Sequence, residues 1–486
     1  MEPIRVLSTS QMEMIDEAAG QILQRTGMMI QHEQALAALA RAGCSVDYPH
    51  WRVRFPRELT RSALERMRKD YFRPDRPERM PVRFSHVRFR PTPYQVHQDF
   101  TVSAGGFVPF IYDLSGQRRR ATGQDVLCSI NMVNHLSQIC TTGLPVSDQD
   151  IPPPHRPVAM AAVLAKYTRK IGGIETFSAA DVRFMHELAM VVAGSSAAFA
   201  ASPALVGYAE TRSPLCFDRN MVEIFMAYVK LGVPQTVDCM PAGGTTAPVT
   251  AAGVLAMGAA ETIAAMALAY ALRDDPVVAL DITPSYADLT SGLYRYGGPE
   301  RCSLLMARVQ LLAEYYGCPT GVHGGKTDSC FLNEHTGIDK TATMLLPVLA
   351  GAVGIGTVGH IENAVTFSPV QLVLDDAIAA YVRRAIRTPI EVNAETLAVE
   401  LVDQIGPGGN FLGAEHTAGR FRDELLLSPL FTAQPWQSAR EHPELHDQTQ
   451  HAAQIARELW RPPEGPVLSD DQVREIDRIV ERARKA

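Results

Sequence analysis

The sequence predicts an α/β fold, a TIM (β/α)8 barrel with additional N-terminal and C-terminal helices. From about residue 100, short apolar segments alternate with helical ones, a pattern typical of parallel strands joined by crossover helices. The alternation runs for about 250 residues, which fits one eight-fold barrel better than an open sheet. We therefore expect a helical extension and connector over 1–95, the barrel over 96–375, and a helical region packed on the barrel over 376–486.

The first 95 residues combine short helices with a connector. Ser8 and Gln11 form a capping box, an apolar face follows, and Gly27 supplies the stop of a helix over 8–27. The stretch over 71–84 is rich in Pro and Arg, which predicts a connector to the barrel. Two further helices lie in between, over 33–41 and from Pro56 to about Lys69.

The barrel region contains candidate strands and the helices that connect them. The candidate strands are 172–177, 235–240, 277–282, 321–323 and 352–361. The candidate helices are 156–169, 179–192, 221–231, 247–272, 300–316 and 339–349. No GxGxxG motif follows a strand, so a dinucleotide-binding domain has no support.

Composition and charge exclude several classes of function. The net charge is −7, and a nucleic-acid-binding surface requires clustered basic residues, so nucleic acid is not an expected partner. No N-terminal signal pattern is present, and no uninterrupted apolar run reaches the ~18 residues of a membrane span. The eight cysteines include no CxxC pair, which indicates reduced thiols. We expect a cytoplasmic protein without membrane contacts.

Polar residues concentrate in the loops that follow four of the candidate strands. These loops are rich in glycine and hydroxyl side chains, and they cover 241–250, 283–298, 324–335 and 362–368. In a parallel barrel the carboxyl ends of the strands meet at one face, where the reactive side chains lie. The four loops are therefore expected to form the rim of one active-site mouth.

Several segments of the chain together resemble a known family. They are LSTSQMEMIDEAAGQILQRTGM near the start, ATGQDV (121–126), PAGGTTAPVTAAGVLA (241–256), GGKTDS (324–329), GHIENAVTFSPVQLVLDDAIA (359–379) and GPGGNFLGAEHT (406–417). In this order they resemble the trimethylamine methyltransferase family, a superfamily of corrinoid-linked methyltransferases. Because it contains no nonstandard residue, the chain is similar to the pyrrolysine-free branch, which includes glycine betaine methyltransferases. Cys330 stands where relatives usually carry Lys.

The resemblance implies a methyl transfer from an N-methylated amine or betaine to Co(I) of a separate, cognate corrinoid protein. The corrinoid would belong to that partner, so no tightly bound cofactor is expected, and a homo-oligomer is expected. A quaternary ammonium leaves as a neutral amine and needs no general acid, so the enzyme mainly positions the methyl group and excludes water. A tertiary amine would first have to be made cationic.

Three residues are candidate catalytic groups: His323, Asp328 and Glu362. Asp328 could orient the donor cation or a neighbouring histidine, and it could equally cap a turn. Glu362 opens the loop after a candidate strand, where its carboxylate could complement a cation or pair with an arginine of the barrel. His323 follows another strand and could bind the carboxylate of a betaine.

The donor itself suggests a second set of residues. A fixed cation suits an aromatic cage, and Tyr286, Tyr294 and Tyr296 of one loop could supply it. Alternatively, these tyrosines cap the core and keep their hydroxyls in water. Lys326 and the Gly-Gly amides could bind a carboxylate, with Arg295 a weaker candidate. The candidate donor-binding residues are Tyr286, Tyr294, Tyr296, Lys326, Cys330 and His360, the last facing inward if its strand alternates regularly.

Two alternative functions stay open. Cys318, His323 and Cys330, with Glu334 or His335, would suit zinc in a methyltransferase that acts on a methoxy or methylthio donor. The spacing C-x4-H-x6-C matches no standard structural site, and a quaternary amine has no lone pair for a metal, so no metal is expected. The Cys at position 330 would also fit a non-catalytic small-molecule binding protein on the same scaffold.

The Gly-rich segment 406–417 ends near His416 and allows two interpretations. It could dock against the corrinoid partner, or it could form a tight structural turn after a helix. The turn is the favoured interpretation.

Overall fold

The computed structural model describes residues 3–71, 100–201, 204–318, 320–386, 390–441 and 447–486. The connector predicted over 71–84 lies outside them except for Tyr71. The described helices are α1 (Thr9–Arg25), α2 (Glu33–Arg41), α3 (Arg57–Tyr71), α4 (Gly123–His135), α5 (Arg156–Tyr167), α6 (Ala179–Ala193), α7 (Ser196–Ala201), α8 (Arg219–Leu231), α9 (Ala251–Leu272), α10 (Pro299–Val309), α11 (Glu334–Leu349), α12 (Pro369–Ala385), α13 (Ala394–Leu397), α14 (Val399–Ile405), α15 (Glu415–Glu424), α16 (Trp436–Glu441), α17 (Gln448–Leu459) and α18 (Asp470–Lys485).

The described strands are short, and each spans two to five residues. They are β1 (Met28–Ile30), β2 (Ser45–Asp47), β3 (Arg52–Arg54), β4 (Thr101–Ala104), β5 (Phe110–Tyr112), β6 (Arg118–Arg120), β7 (Thr141–Thr142), β8 (Gly207–Thr211), β9 (Cys216–Phe217), β10 (Gln235–Cys239), β11 (Ala242–Gly243), β12 (Val278–Leu280), β13 (Ser285–Asp288), β14 (Leu293–Arg295), β15 (Gly354–Ile355), β16 (His360–Ile361) and β17 (Thr366–Phe367).

The N-terminal helices form as predicted, beginning with the capping box. The Ser8 hydroxyl accepts from the amide of Gln11 at 3.2 Å, and the Gln11 side chain accepts from the amide of Ser8 at 2.8 Å. Helices α1, α2 and α3 then pack on α9, with Met12, Leu23 and Leu36 in the shared core. This burial stabilises short helices that would be marginal alone in water.

Parallel strands form two runs. In the first, β4 pairs with β15 on one side and β7 on the other, and single bridges extend the run to Val322 and Ile171. In the second, β10 lies between β8 and β12. Among the described residues no backbone pairing joins the two runs. The α/β class with parallel strands is therefore confirmed, and closure into an eight-fold barrel stays a prediction.

Three of the predicted strands differ from the structure, and of these, segment 321–323 forms only a single bridge, at Val322. Segment 172–177 forms no ladder, and only the bridge at Ile171 precedes the capping residue Ser178 of α6. Segment 352–361 divides into β15 and β16, which belong to different sheets. Thr357 (φ 67°) and Gly359 (φ 88°) have left-handed backbones that turn the chain between them.

Helix α9 is the central helix of the molecule. It is apolar on all sides, which is typical of a helix buried on all sides. By length and composition alone it could cross a membrane, but 83% of its most apolar window is buried inside the protein. Its one acidic residue, Glu261, accepts from the hydroxyls of Thr211 and Ser213 and from the amide of Leu215. We interpret α9 as a core helix.

The C-terminal region has two parts that differ in packing. Helix α12 runs across the predicted boundary at 375/376, and α17 packs on α12 and α4. Helix α18 packs on α5 and α6, where Gln472 donates to the carbonyl of Val191 at 2.8 Å. Between them, α13, α14, α15 and α16 contain no buried residue.

Candidate active site

Three successive strands, and the extended segment 172–177 before them, each carry or directly precede one acidic residue. These residues are Glu175, Glu210 in β8, Asp238 in β10 and Asp281 directly after β12. Because parallel strands bring their carboxyl ends to one edge, the four carboxyl groups converge. Burial raises the pKa of both Glu210 and Asp238, since a buried carboxylate loses its hydration.

The hydroxyl of Tyr208 connects two of these carboxyl groups. It lies 2.6 Å from Oε1 of Glu210 and 3.0 Å from Oδ2 of Asp238, and Thr283 donates to the same Oδ2 at 2.7 Å. A phenol carries only one proton, so full hydrogen bonding at both contacts requires that one carboxyl group be protonated. The raised pKa values of both carboxyl groups have the direction that this shared proton needs.

A cavity of about 130 Å³ lies beside these segments, lined by Gly207 and Tyr208 at the amino end of β8, by Thr236 of β10 and by residues that follow β4 and β7. Backbone and small residues form much of its wall, so space remains where side chains would otherwise fill the centre. The polar side chains that line it include Glu175, Tyr208 and His323. The glycines of the wall are Gly105, Gly106, Gly143, Gly173, Gly207 and Gly356.

Glu175 is the acidic residue that faces this cavity. Its side chain is exposed to the cavity, yet surrounding protein excludes bulk water from the carboxyl group. Burial and the neighbouring Glu210 raise the pKa of Glu175 to about 7, against the opposing effect of Lys326. Among the described residues Glu175 has no side-chain hydrogen bond or ion pair. The cavity wall thus contains a carboxyl group that a ligand could reach.

Lys326 is the cationic counterpart of this acidic group. Its side chain is buried, with Nζ 4.4 Å from the centre of the Tyr296 ring. Burial, and then the nearby Arg301, lower the pKa of Lys326 to about 7. The described residues offer Nζ no ion pair or hydrogen bond. Lys326 can therefore change its charge near neutral pH beside the carboxyl groups.

Arg301 fixes the loops around this group. Its guanidinium is buried and donates to the carbonyls of Pro284 (3.2 Å), Tyr296 (2.8 Å) and His323 (2.9 Å). These three residues follow β12, β14 and the 320–322 segment. One side chain thus sets the relative position of three strand-end loops.

The structure groups His323 with Asp238 and Asp281 rather than with cysteines. Their ligand atoms lie within 4.8 Å of one another. Asp281 already forms a fully buried ion pair with Arg308, and Asp238 accepts from Tyr208. Such a group suits a proton-bearing network better than a divalent cation, because its charge is partly neutralised.

The two cysteines considered as zinc ligands differ in solvent exposure. Cys318 is fully buried, with Sγ 3.9 Å from the carbonyl of Leu280, whereas Cys330 is exposed. Glu334 is exposed, and His335 lies 3.0 Å from Asp339. The residues that the structure describes therefore give the zinc set no common centre.

Asp328 holds the neighbouring hairpin. It accepts from the amides of Tyr296 (2.6 Å) and Gly297 (2.7 Å) and pairs with Arg295 at 3.0 Å. Its carboxylate is therefore engaged by protein groups. A role in orienting the donor stays a prediction.

His360 lies in β16, and Glu362 follows that strand next to segment 327–329. Glu362 pairs with Arg118 at 2.7 Å, and its amide donates to the carbonyl of Ser329. His360 is fully buried, with Nε2 donating to the carbonyl of Pro145 at 3.0 Å, and burial lowers its pKa to about 3. His360 is therefore a neutral core residue next to the cavity wall.

The three candidate cage tyrosines do not line one cavity. Tyr286 pairs with Arg295 across the β13–β14 hairpin, so its side chain points to the opposite face from Tyr294. Tyr294 and Tyr296 line a second cavity of about 310 Å³ together with Glu210. Tyr286 lines a third of about 400 Å³. The Tyr208–Glu210 contact thus joins the first cavity to the second.

Sequence reasoning missed Glu175, Tyr208, Glu210, Asp238 and Asp281. The signal was a lone acidic residue in each of four apolar segments, GGIETF, GYAET, QTVDC and VALDI. Charged residues are almost never fully buried without a reason, so this repeat marks a functional interior. The strand-end loops carry many more polar residues, which hides this weaker signal.

Comparison with known proteins decides the family. The family model described as trimethylamine methyltransferase (MTTB) matches residues 1–486. The chain belongs to the trimethylamine methyltransferase family. Within this family, a glycine betaine methyltransferase of Desulfitobacterium hafniense (strain Y51) is 28% identical over 435 residues, 87% of this chain and 86% of that protein.

Other members and one solved structure are also similar. A trimethylamine methyltransferase of D. hafniense (strain DSM 10664 / DCB-2) is 26% identical over 404 residues, covering 83% of this chain and 79% of that protein. That of Methanosarcina thermophila is 36% identical over 205 residues, 42% of each chain. The crystal structure of the monomethylamine methyltransferase of Methanosarcina barkeri aligns over 93% of both chains, with 12% identity and a TM-score of 0.45.

Proposed function

We propose that the chain transfers a methyl group from a quaternary methylated amine, such as a betaine, to Co(I) of a cognate corrinoid protein. The acidic cavity lined by Glu175, Tyr208 and His323 carries this proposal. Family membership and similarity to a glycine betaine methyltransferase support it. In this proposal the corrinoid stays with the partner, the chain holds no tightly bound cofactor, and the reaction takes place in the cytoplasm.

The proposal includes the closed eight-stranded barrel. The first cavity draws its lining from β4, β8 and β10, from the residues that follow β4 and β7, and from segments 173–175, 323 and 356–357. A cavity with contributors from so many strand positions suits a ring of strands better than two separate sheets.

The charges of the cavity suit a cationic donor. Glu175 faces the cavity. Tyr208 also lines the cavity, and its hydroxyl contacts the carboxyl groups of Glu210 and Asp238. A low-dielectric site strengthens the attraction between these groups and a fixed positive charge. The volume of about 130 Å³ lies below the ~300–1,000 Å³ of drug-sized sites, which favours a small donor.

The methyl transfer needs no proton from the chain. The electron pair of the reduced cobalt forms the bond to the methyl carbon, the electrons of the C–N bond stay on nitrogen, and a neutral amine leaves. The protein therefore positions the donor and excludes water. Lys326 and His323 would bind the carboxylate of a betaine, while Asp328 and Glu362 would hold the loops in place.

The corrinoid partner would dock on the strand-end loops. Four large apolar side chains are exposed there: Val249, Leu289, Leu293 and Phe331. Exposed apolar groups around a cavity are typical of a protein-binding rim. Docking at this rim would bring the cobalt to the cavity.

A spectroscopic assay tests the proposal. The purified chain and a reduced corrinoid protein are mixed with quaternary, tertiary, methoxy and methylthio donors, and the loss of Co(I) absorbance is followed. We expect methylation of cobalt by a quaternary donor without added zinc. Turnover of a methoxy or methylthio donor only, with zinc present, would replace the proposal by the metal-dependent alternative. Donor binding without any cobalt methylation would favour the binding-protein alternative.

A further inference from the structure

Residues 390–436, here called the arm, form a segment that contacts the rest of its own chain very little. The only buried residues within the arm are Ser428 and Leu430. Large apolar side chains are nevertheless frequent and exposed. They are Ile390, Val392, Leu397, Val399, Val402, Phe411, Leu412, Phe421, Leu425, Leu426, Leu427, Phe431 and Trp436.

This composition is incompatible with an arm surrounded by water. Its helices α13, α14 and α15 have 4, 7 and 10 residues, and helices below ~12–15 residues are marginal in water without tertiary packing. The exposed side chains amount to an apolar surface on the order of 1,000 Å². A standard stable interface needs about 800 Å² from each partner.

The position of the arm indicates what covers it. Helix α12, which leads into the arm, ends beside the amino end of β4, where Arg383 donates to the carbonyl of Phe100 at 2.7 Å. The arm is tied to this end of α12 by Arg384, which donates to the carbonyl of Asp423, and by Tyr381, whose ring lies 6.5 Å from that of Phe431. The cavity lies at the opposite end of β4. A protein that delivers cobalt to the cavity would therefore not cover the arm.

We propose that the arm packs against a second copy of the chain in a permanent homo-oligomer. An apolar surface of this size resembles half of a domain core, as in obligate homo-oligomers, whereas a methyl acceptor must bind and leave in every turnover. A second copy is also always present where the chain is made. The Gly-rich turn 406–417 belongs to this interface. The proposal does not depend on the donor or on methyl transfer.

Mass measurement and a variant test this inference. Light scattering coupled to size exclusion should give the full-length chain a multiple of its 53.1 kDa mass. The double variant Leu412→Glu/Leu427→Glu should shift toward 53.1 kDa, because two charges cannot be buried in an apolar interface. Leu231→Glu, at the end of α8, is the matched control, since Leu231 is also an exposed leucine, and its mass should not change.

Hydrogen exchange on the wild-type chain decides the matter if the double variant does not fold. The amides of α13, α14 and α15 should be protected from exchange in the wild-type chain alone, because the second copy covers them. A wild-type mass of 53.1 kDa at all concentrations would overturn the inference. So would an oligomer that persists in the folded double variant, or protection of the arm only after the corrinoid protein is added.

Discussion

In the proposed function, Glu175 is the residue through which the cavity would recognise charge most directly. It is the acidic group that lines the cavity of about 130 Å³, and burial and Glu210 raise its pKa to about 7. Lys326 lies near it with a pKa lowered to about 7 by burial. A cationic donor should therefore be attracted by the carboxylate of Glu175 and repelled by the ammonium group of Lys326.

Replacing Glu175 by Gln should weaken the binding of a permanently cationic donor. We expect about a tenfold increase in the Kd of tetramethylammonium at pH 8, because an attraction of about 1.4 kcal/mol is lost. Titration calorimetry measures this directly. Glu13→Gln, an exposed change far from the cavity, should leave the Kd unchanged, and an equal effect of both variants would refute the role of Glu175.

Lys326→Met should separate two classes of donor. Removing the buried cation strengthens the attraction for tetramethylammonium but removes the proposed partner of a betaine carboxylate. We expect the ratio of kcat/KM for glycine betaine to that for tetramethylammonium to fall about tenfold. Lys230→Met, at an exposed position, serves as control. A parallel loss for both donors would mean that Lys326 acts only in folding.

At the scale of elements, buried ion pairs connect the helices and hold the strand-end loops. Lys340 of α11 and Asp375 of α12 pair at 2.6 Å, and both are fully buried. Lys340 also donates to the carbonyl of Gly325, and Asp375 accepts from the amide of Gly359. This pair thus fixes the loop that carries Lys326 and the turn after β15.

Lys340→Met should destabilise the fold by about 3–5 kcal/mol, because it leaves the carboxylate of Asp375 buried without a partner. Urea unfolding followed by circular dichroism gives the change in the free energy of unfolding. The double variant Lys340→Met/Asp375→Asn should lose less free energy of unfolding than the single variant, because it leaves no buried charge unpaired. If the single and double variants lose the same free energy of unfolding, the Lys340–Asp375 ion pair is not the source of the stability.

The local elements followed from the sequence where a specific signal existed. The capping box of Ser8 and Gln11 and the strand at 235–239 are confirmed. The division of 352–361 could not be predicted, because it depends on a left-handed Thr357 that no local preference favours. The placement of Tyr286 away from Tyr294 depends on the hairpin register, which spacing alone does not fix.

At the scale of the whole molecule, the charge of the cavity should change near neutral pH. As pH rises through about 7, Glu175 loses a proton and becomes negative, and Lys326 loses its positive charge. Both changes make the cavity more negative. A cation without titratable groups should therefore bind more tightly at higher pH.

We expect the Kd of tetramethylammonium to fall by up to about tenfold between pH 6 and 8. Calorimetry across this range measures it, and Glu175→Gln should flatten the profile. An affinity that is constant or that falls with rising pH would contradict the assigned charges.

The family and the α/β class were accessible from the sequence, because motifs along the whole chain carry them. The cavity could not be predicted from the sequence, because its lining, which includes Glu175, Tyr208 and His323, comes from segments that are distant in sequence. The arm was not predicted as an interface either, because exposure is a property of the folded chain. For its segment 406–417 the sequence left two interpretations open, a docking site for the corrinoid partner and a tight turn, and favoured the turn.

A crystal structure with a bound quaternary ammonium donor tests the central claim most directly. The nitrogen should lie within about 6 Å of the Glu175 carboxyl group and the Tyr208 ring, with one methyl group directed toward the rim of Leu289 and Leu293. A donor bound instead beside Tyr286 and Arg295, with the cavity at Glu175 empty, would contradict the claim.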